Sequence, residues 1–374
     1  MFANKLKVSV AAGLLSTTLV GVALAGGSAS ASTASCSTAT SAAKCGGMSN
    51  LIAAAKKEGA LNVITLPSNW ANYGTIIKDF SKKYGIKVNS YNPDGSSQDE
   101  INAVEQDKGR SSAPDVLDVG TSYATSNLGL LAPYQVATWS AIPSALKDSK
   151  GRWFDDYGGY VSIGCNTKIV TTCPTSFAQL LNPAYKNEVG INGDPTQASA
   201  AFSAVFAAGL ANGGSFDNIQ PGIDFFAKLN KAGNYVPGGS AATAASGTTP
   251  ILIWWDYLQD SIKSTVSTWT VKIPSDASYA AYYSQAISAT APHPAAARLW
   301  EEFLYSTQGQ NLWLQGNARP VELPTLVKNG TVNKTWLAEL PAAPAGATVF
   351  PTLAQLATAK NTVAANWASA ISGS

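Results

Sequence analysis

Short apolar runs alternate with stretches of helical periodicity twice along this chain, and that alternation confines each half to a mostly parallel sheet flanked by helices. In the first block an apolar strand over 61–66 is broken by Pro67-Ser68-Asn69-Trp70, and Ile76, Ile77, Phe80 and Tyr84 then recur at helical spacing. A second strand covers 87–91 and is followed by the turn Asn92-Pro93-Asp94-Gly95; Ser97 with Glu100 reads as a capping box opening the next helix. A third strand over 115–119 ends at Gly120-Thr121-Ser122-Tyr123. Parallel strands bring the loops at 67–72, 94–97 and 120–123 to one edge. There they present Trp70, Asn72, Asp94, Ser96, Ser97, Thr121 and Tyr123, a polar and aromatic rim suited to a small ligand.

An extended segment without helical periodicity covers 153–165, after which the alternation resumes: a short helix over 175–181, a strand over 188–192, and helices over 198–210 and 221–231. The most telling stretch of this block is 250–257, PILIWWDY. Ile251, Leu252 and Ile253 read as a central strand covered on both faces. Ligands gather beyond the carboxyl ends of strands in open α/β sheets, which assigns Trp254, Trp255, Asp256 and Tyr257 to a binding edge. The plain alternative is that the tryptophans are core and Asp256 caps the next helix. Strands over 269–273 and 284–289, an amphipathic helix over 294–305 and a closing helix over 352–370 complete the reading.

Lys5 and Lys7, the apolar run over 8–24 and a small-residue site at Ala23-Leu24-Ala25 or Ala29-Ser30-Ala31 form a secretory signal, assigned to 1–31. The run is too short and wrongly flanked for a membrane anchor, and no later segment could span a bilayer. A Ser/Ala/Thr-rich surface tether is expected over 32–47. Lipid attachment at Cys36 is disfavoured, because no leucine stands three residues before it. Cys36 with Cys45 and Cys165 with Cys173 are close pairs that an exported chain can oxidise, although four cysteines allow three connectivities. Charged residues make up only 13% of the chain, no basic patch occurs, and nucleic-acid binding is not expected.

The strongest enzyme reading takes Gly120-Thr121-Ser122-Tyr123-Ala124 as a nucleophile elbow, with Asp256 and His293 following in α/β-hydrolase order. Against it, the last elbow glycine is alanine, Gly129 and Pro133 interrupt the following helix, and no Gly-rich oxyanion segment appears. One histidine and scattered carboxylates give no metal-ligand cluster, no phosphate-binding loop exists, and no cofactor is expected. Recognition without turnover remains.

The segment APHPAAARLWEEFLYSTQGQNLWLQGNARPV, 291–321, closely resembles the carboxyl-proximal signature of bacterial ABC-transporter substrate-binding proteins. These are the extracellular solute-binding proteins that include polyamine, thiamine, ferric-iron and phosphonate binders. NTKIV at 166–170, the stretch 175–195 and the strand at 247–257 support the likeness, which covers nearly all of the chain from about Leu61. The resemblance implies a type II periplasmic-binding-protein fold, an α/β architecture of two lobes joined by crossovers near 157–165 and 273–283. Lobe one is then 48–158 with 277–374, and lobe two is 159–276. It implies an ABC permease and its ATPase as partners, and a monomer is expected.

In ferric-binding relatives a tyrosine pair occupies the place of Trp254 and Trp255, and indole cannot ligate a hard cation. Polyamine binders use aromatic walls with carboxylates, roles open to Trp70, Asp94, Trp255, Asp256 and Tyr257. A phosphonate would instead use Thr196, Gln197 and Ser199 at a helix start. Arg319 favours an anion if its loop reaches the cleft, but the balance of carboxylates and π faces favours an amine-containing solute.

Overall fold

The structure is a computed structural model that describes residues 35–345 and 349–373; the signal segment expected over 1–31 lies outside the described residues. In the first half, β1 (Ala60–Ile64) pairs in parallel with β2 (Lys87–Tyr91), and the connection between them carries α2 (Tyr73–Tyr84). α1 (Met48–Glu58) precedes β1. α2 turns Tyr73, Ile76 and Phe80 inward, as its periodicity demands. β3 (Val116–Gly120) lies beside β1, held by the Asp115 N–H donating to Asn62 O at 3.0 Å and by the Asn62 N–H donating to the Asp115 carboxylate at 2.6 Å. Between β2 and β3 runs α3 (Ser97–Gln106). Its cap is Ser96 with Asp99, one residue before the expected Ser97 and Glu100. Glu100 is left to turn inward and accept the Asp118 N–H at 2.9 Å.

After β3 come α4 (Thr121–Ser126), β4 (Leu131–Ala132) and then β5 (Phe154–Asn166), a single buried strand of 13 residues along the extended segment expected over 153–165. Its first half pairs with β10 (Ala280–Ser288) and with β11 (Arg319–Pro320). Its second half pairs with β8 (Ile251–Trp255) and β9 (Trp269–Lys272). The strand therefore belongs to both halves of the molecule. Gly158 and Gly159 sit where they meet: a Cβ would come within 2.2 Å of Ala281 O at the first and of the Asp256 carboxylate at the second. β10, the other crossover, returns to pair antiparallel with β3.

The second half stacks β6 (Val189–Ile191) in parallel between β7 (Tyr235–Val236) and β8. The helix expected over 175–181 is reduced to a single 3-10 turn, Ala178–Leu181, whose leading N–H groups at Phe177 and Ala178 are taken by the Asp276 carboxylate. α5 (Ser199–Ala211) is apolar all round and correspondingly enclosed, and it packs on α6 (Gln220–Lys231). The contact is close enough that a Cβ on Gly222 would meet Val205 O at 2.1 Å. α7 (Ala241–Ser246) and α8 (Asp256–Ile262) flank β8.

The carboxyl-terminal part adds α9 (Pro294–Leu304), α10 (Thr307–Gln315), α11 (Leu323–Lys328), α12 (Lys334–Glu339) and α13 (Leu353–Ser372). α9 packs on α1 and sets Trp300 and Phe303 against Phe80. α13 touches α6, through Trp367 on Phe226, and also α4. The stretch expected as a free tether is packed from residue 35 onward: Ala39, Ala42 and Cys45 are buried, and Arg298 donates to Ala39 O at 2.7 Å. Disulfides Cys36–Cys45 and Cys165–Cys173 join the two local pairs.

Candidate functional site

The loops after β1 and β2 and the end of β3 face the starts of α5 and α7 across a cleft of about 500 Å³, floored by Trp254 and Tyr283. Its rims touch on one side. The Gln98 N–H donates to Gln197 O at 3.2 Å, and the Tyr123 hydroxyl to Thr196 O at 3.1 Å. Thr65, at the lip, holds φ 58, a conformation costly for a β-branched residue, and its buried hydroxyl has no hydrogen-bond partner among the described residues.

Two buried carboxyls line this cleft. Asp118 Oδ2 accepts from the Tyr73 hydroxyl at 2.7 Å and from the Tyr157 hydroxyl at 2.8 Å, and Trp70 Nε1 in turn donates to the Tyr157 oxygen at 2.7 Å. Gln285 ties Tyr73 to Asp156 with two bonds of 2.9 Å, so the network runs from the cleft into both crossover strands. Glu100 is anchored by one oxygen to the Asp118 backbone. Asp118 Oδ1, Glu100 Oε1 and Trp254 Nε1 are buried without a partner among the described residues, a costly condition for acceptors and donors away from water.

Burial pushes the Asp118 carboxyl up to about 7, against the two tyrosine hydroxyls that pull it down. Burial and the nearby Asp118 charge push Glu100 well above the usual carboxylate range. Among the described residues lining the cleft none is Lys or Arg, so no built-in cation offsets Asp94, Glu100 and Asp118. Trp70 stands edge-on to both Trp254 and Tyr283, with ring centroids 5.7 Å apart in each pair.

Of the residues singled out from sequence, Trp70, Asp94, Ser96, Ser97 and Trp254 line the cleft. Ser199 joins them from the start of α5. Thr196 is drawn aside, its N–H and hydroxyl both bound to Asp194 Oδ1. Asn72 is spent on holding α10, donating to Leu312 O and Gln315 Oε1. Thr121 donates to Asp155 and lines a neighbouring cavity, while Tyr123 is buried.

Trp255, Asp256 and Tyr257 do not line this cleft; Asp256 instead borders a separate cavity of about 810 Å³. Successive side chains of a strand point to opposite faces, so Trp254 reaches the floor while Trp255 turns inward, stacked on Tyr257 at 6.3 Å. Asp256 is fully buried and paired with Arg319 at 2.6 Å; its other oxygen accepts the Tyr160 and Tyr257 N–H groups at 3.0 Å. Arg319 also donates to Pro341 O and lies 4.9 Å over the Tyr160 ring, so it too is committed away from the cleft. Glu100, Asp118 and Tyr283, which the sequence did not mark as site candidates, also line the cleft. Asp118 did leave a signal, a lone carboxylate inside the apolar run VLDVG.

The triad arrangement is not assembled. His293 Nδ1 lies 2.8 Å from Asp115, which together with that carboxylate's charge raises the imidazole against the lowering effect of burial. Ser122 lines the neighbouring cavity with Thr121. Among the described residues no group of three His, Cys, Asp or Glu side chains is placed to hold a metal ion.

A model of the bacterial extracellular solute-binding protein family matches residues 117–339, more than half of the chain. The chain belongs to that family. The solute-binding proteins of this family are substrate-binding components of ABC importers and carry solutes without transforming them. Among solved structures, a periplasmic binding protein of Actinobacillus pleuropneumoniae with fructose-6-phosphate bound is 18% identical, with TM-score 0.68 over 84% of this chain and 99% of that one. The ferric binding protein of Campylobacter jejuni is also 18% identical, with TM-score 0.62 over 83% and 99%. A putative spermidine/putrescine ABC transporter protein of Listeria monocytogenes is 14% identical, with TM-score 0.60 over 83% and 99%. These neighbours share the two-lobed fold of this solute-binding protein. Among its described residues no helix is long and apolar enough to cross a membrane.

Proposed function

We propose that this solute-binding protein captures a small amine-bearing solute of the diamine or polyamine type in the cleft beside Trp70 and Trp254, and delivers it to an ABC permease. The observation that carries the reading is a cleft with three carboxyls, two of them with unsatisfied buried oxygens, and no Lys or Arg among its described lining residues. An ammonium group supplies what those oxygens lack, since a charge-assisted hydrogen bond is worth about 1.5–3 kcal/mol. The indole faces add roughly 0.5–2 kcal/mol of cation–π attraction. Trp70, Asp94, Glu100, Asp118 and Trp254 are the ligand-holding residues in this reading, and Ser96 fixes the loop that carries Asp94.

A second reading has support of its own. The amino-terminal end of α5 lines the cleft at Ser199, and such ends favour phosphate or phosphonate groups. A thermal-shift screen of diamines, polyamines, thiamine, phosphonates, sugars, sugar phosphates and ferric citrate separates the two. At ~100 times its dissociation constant a true ligand adds about 2.7 kcal/mol of stability. The amine reading expects diamines or polyamines to stabilise the wild type and Asp118→Asn to remove the shift. Stabilisation by anionic compounds alone, insensitive to Asp118→Asn, would sink it.

A further inference from the structure

A second cavity, of about 340 Å³, lies beside the cleft with Ser199 in the wall they share. Its volume is that of a small-molecule pocket, and its lining is mostly apolar. Phe202, Tyr279, Tyr282 and Phe350 supply ring surface, and the last two are in contact with centroids 5.6 Å apart. Its walls come from α4, from α5, from both crossover strands and from the segment leading into α13.

One polar group in this lining stands out. Asp155, on the first crossover strand, is 2% exposed. Its Oδ1 accepts from the hydroxyls of Ser284 and Thr121, while no hydrogen bond among the described residues reaches its Oδ2. The one Lys or Arg among the described lining residues, Lys147, is committed elsewhere: its ammonium donates to Trp139 O and lies 4.6 Å over the Trp139 ring. Burial pushes the Asp155 carboxyl up to about 7, the response of a carboxylate that faces an apolar space without a counter-charge.

We infer that this cavity is a second small-molecule site, distinct from the cleft, which takes a compact organic amine with an aromatic body: the ring packs among Phe202, Tyr282 and Phe350, and the ammonium meets Asp155. The apolar walls reject linear polyamines, whose several charges would be left without partners there. A molecule in this cavity touches both halves of the fold and the carboxyl-terminal segment at once, and so braces the crossover strands from a position the cleft ligand does not reach.

The test is titration calorimetry of the full mature protein with 2-phenylethylamine and with its neutral counterpart 2-phenylethanol. Three variants accompany the wild type. Asp155→Asn removes the charge, Ala145→Trp plugs the cavity from an exposed rim position where folding is indifferent, and Trp70→Ala damages only the cleft. The expected result is saturable binding of the amine, weaker by about tenfold or more for the alcohol and for Asp155→Asn. Ala145→Trp should abolish binding and Trp70→Ala should leave it intact. Equal binding of amine and alcohol overturns the assignment. So does loss of binding in Trp70→Ala with retention in Ala145→Trp, which would put the probe in the cleft, and so does the absence of saturable heat up to the solubility limit of the amine.

Discussion

Two buried carboxylates at the junction of the halves, Asp256 and Asp118, have opposite surroundings. Asp256 meets a guanidinium and two backbone N–H groups, so each of its oxygens is satisfied from within the chain. Asp118 meets two tyrosine hydroxyls on one oxygen and, among the described residues, no hydrogen-bond partner on the other, with Glu100 beside it in a similar state. A carboxylate whose partner is built in belongs to the structure; one left without a partner on the wall of a cleft is poised for a partner from outside. The sequence motif PILIWWDY points to the first, whereas the proposed amine capture rests on the second.

Breaking the built-in pair should have the largest effect. Arg319→Ala leaves Asp256 buried and uncompensated, which costs about 3–5 kcal/mol, and the double variant Asp256→Asn/Arg319→Ala should recover much of that in denaturant melts. If Arg319→Ala folds as stably as the wild type but loses its solute, the division between the two carboxylates is wrong.

The unpaired group should show itself in the pH dependence of the ligand-free protein. Burial raises the folded-state value of Asp118 from its ordinary 3.8 to about 7, and raises Glu100 as well. The folded state then holds protons that the unfolded chain has released, so stability falls as pH rises from about 4 through 7 on account of Asp118, and Glu100, raised well above the usual carboxylate range, acts in the same direction. The drop expected from Asp118 over that range is on the order of 4 kcal/mol. His293, raised by Asp115, acts in the same direction, its contribution fully present below its ordinary 6.5 and lost as pH passes its folded value. Thermal melts between pH 5 and 8 read this directly, and Asp118→Asn should flatten part of the slope. A protein more stable at pH 8 than at pH 5 would contradict the unpaired state.

Smaller effects follow at the ligand. Asp118→Asn should weaken amine binding by about 1.5–3 kcal/mol while leaving the ligand-free protein at least as stable at pH 8, because a neutral amide costs less to bury than a charge. The smallest expected change is Trp254→Leu, which keeps an apolar floor and gives up roughly 0.5–2 kcal/mol of cation–π attraction.

The strand over 87–91 was legible because β-strand composition is a local property, and the apolar run 251–253 marks the start of β8, which continues through Trp255; pairing is not local, and β5 and β10 pair antiparallel with their neighbours where a mostly parallel sheet was expected. Which face of a strand meets the cleft is not local. Trp254 and Trp255 are indistinguishable in sequence, and only the packing of β8 on β5 decides that the first reaches the floor. Asp256 and Arg319 are 63 residues apart, so a loop arginine free to meet a ligand and one locked into the crossover read alike. Ser96 rather than Ser97 caps α3, a shift of one residue that releases Glu100 from the surface into the site. Asp118 was visible as a charge within a buried strand, but its two tyrosine partners come from α2 and β5.

The central claim is that the cleft carboxyls wait for a cation, and calorimetric titration of a diamine near pH 7 in two buffers of different ionisation heat tests it most directly. Binding an ammonium beside Asp118 and Glu100 must pull their raised values down, so the account predicts proton release into the buffer, affinity that tightens as pH rises from 6 to 8, and loss of most of the released proton in Asp118→Asn. Binding without proton release, or heat only from anionic solutes, would contradict it.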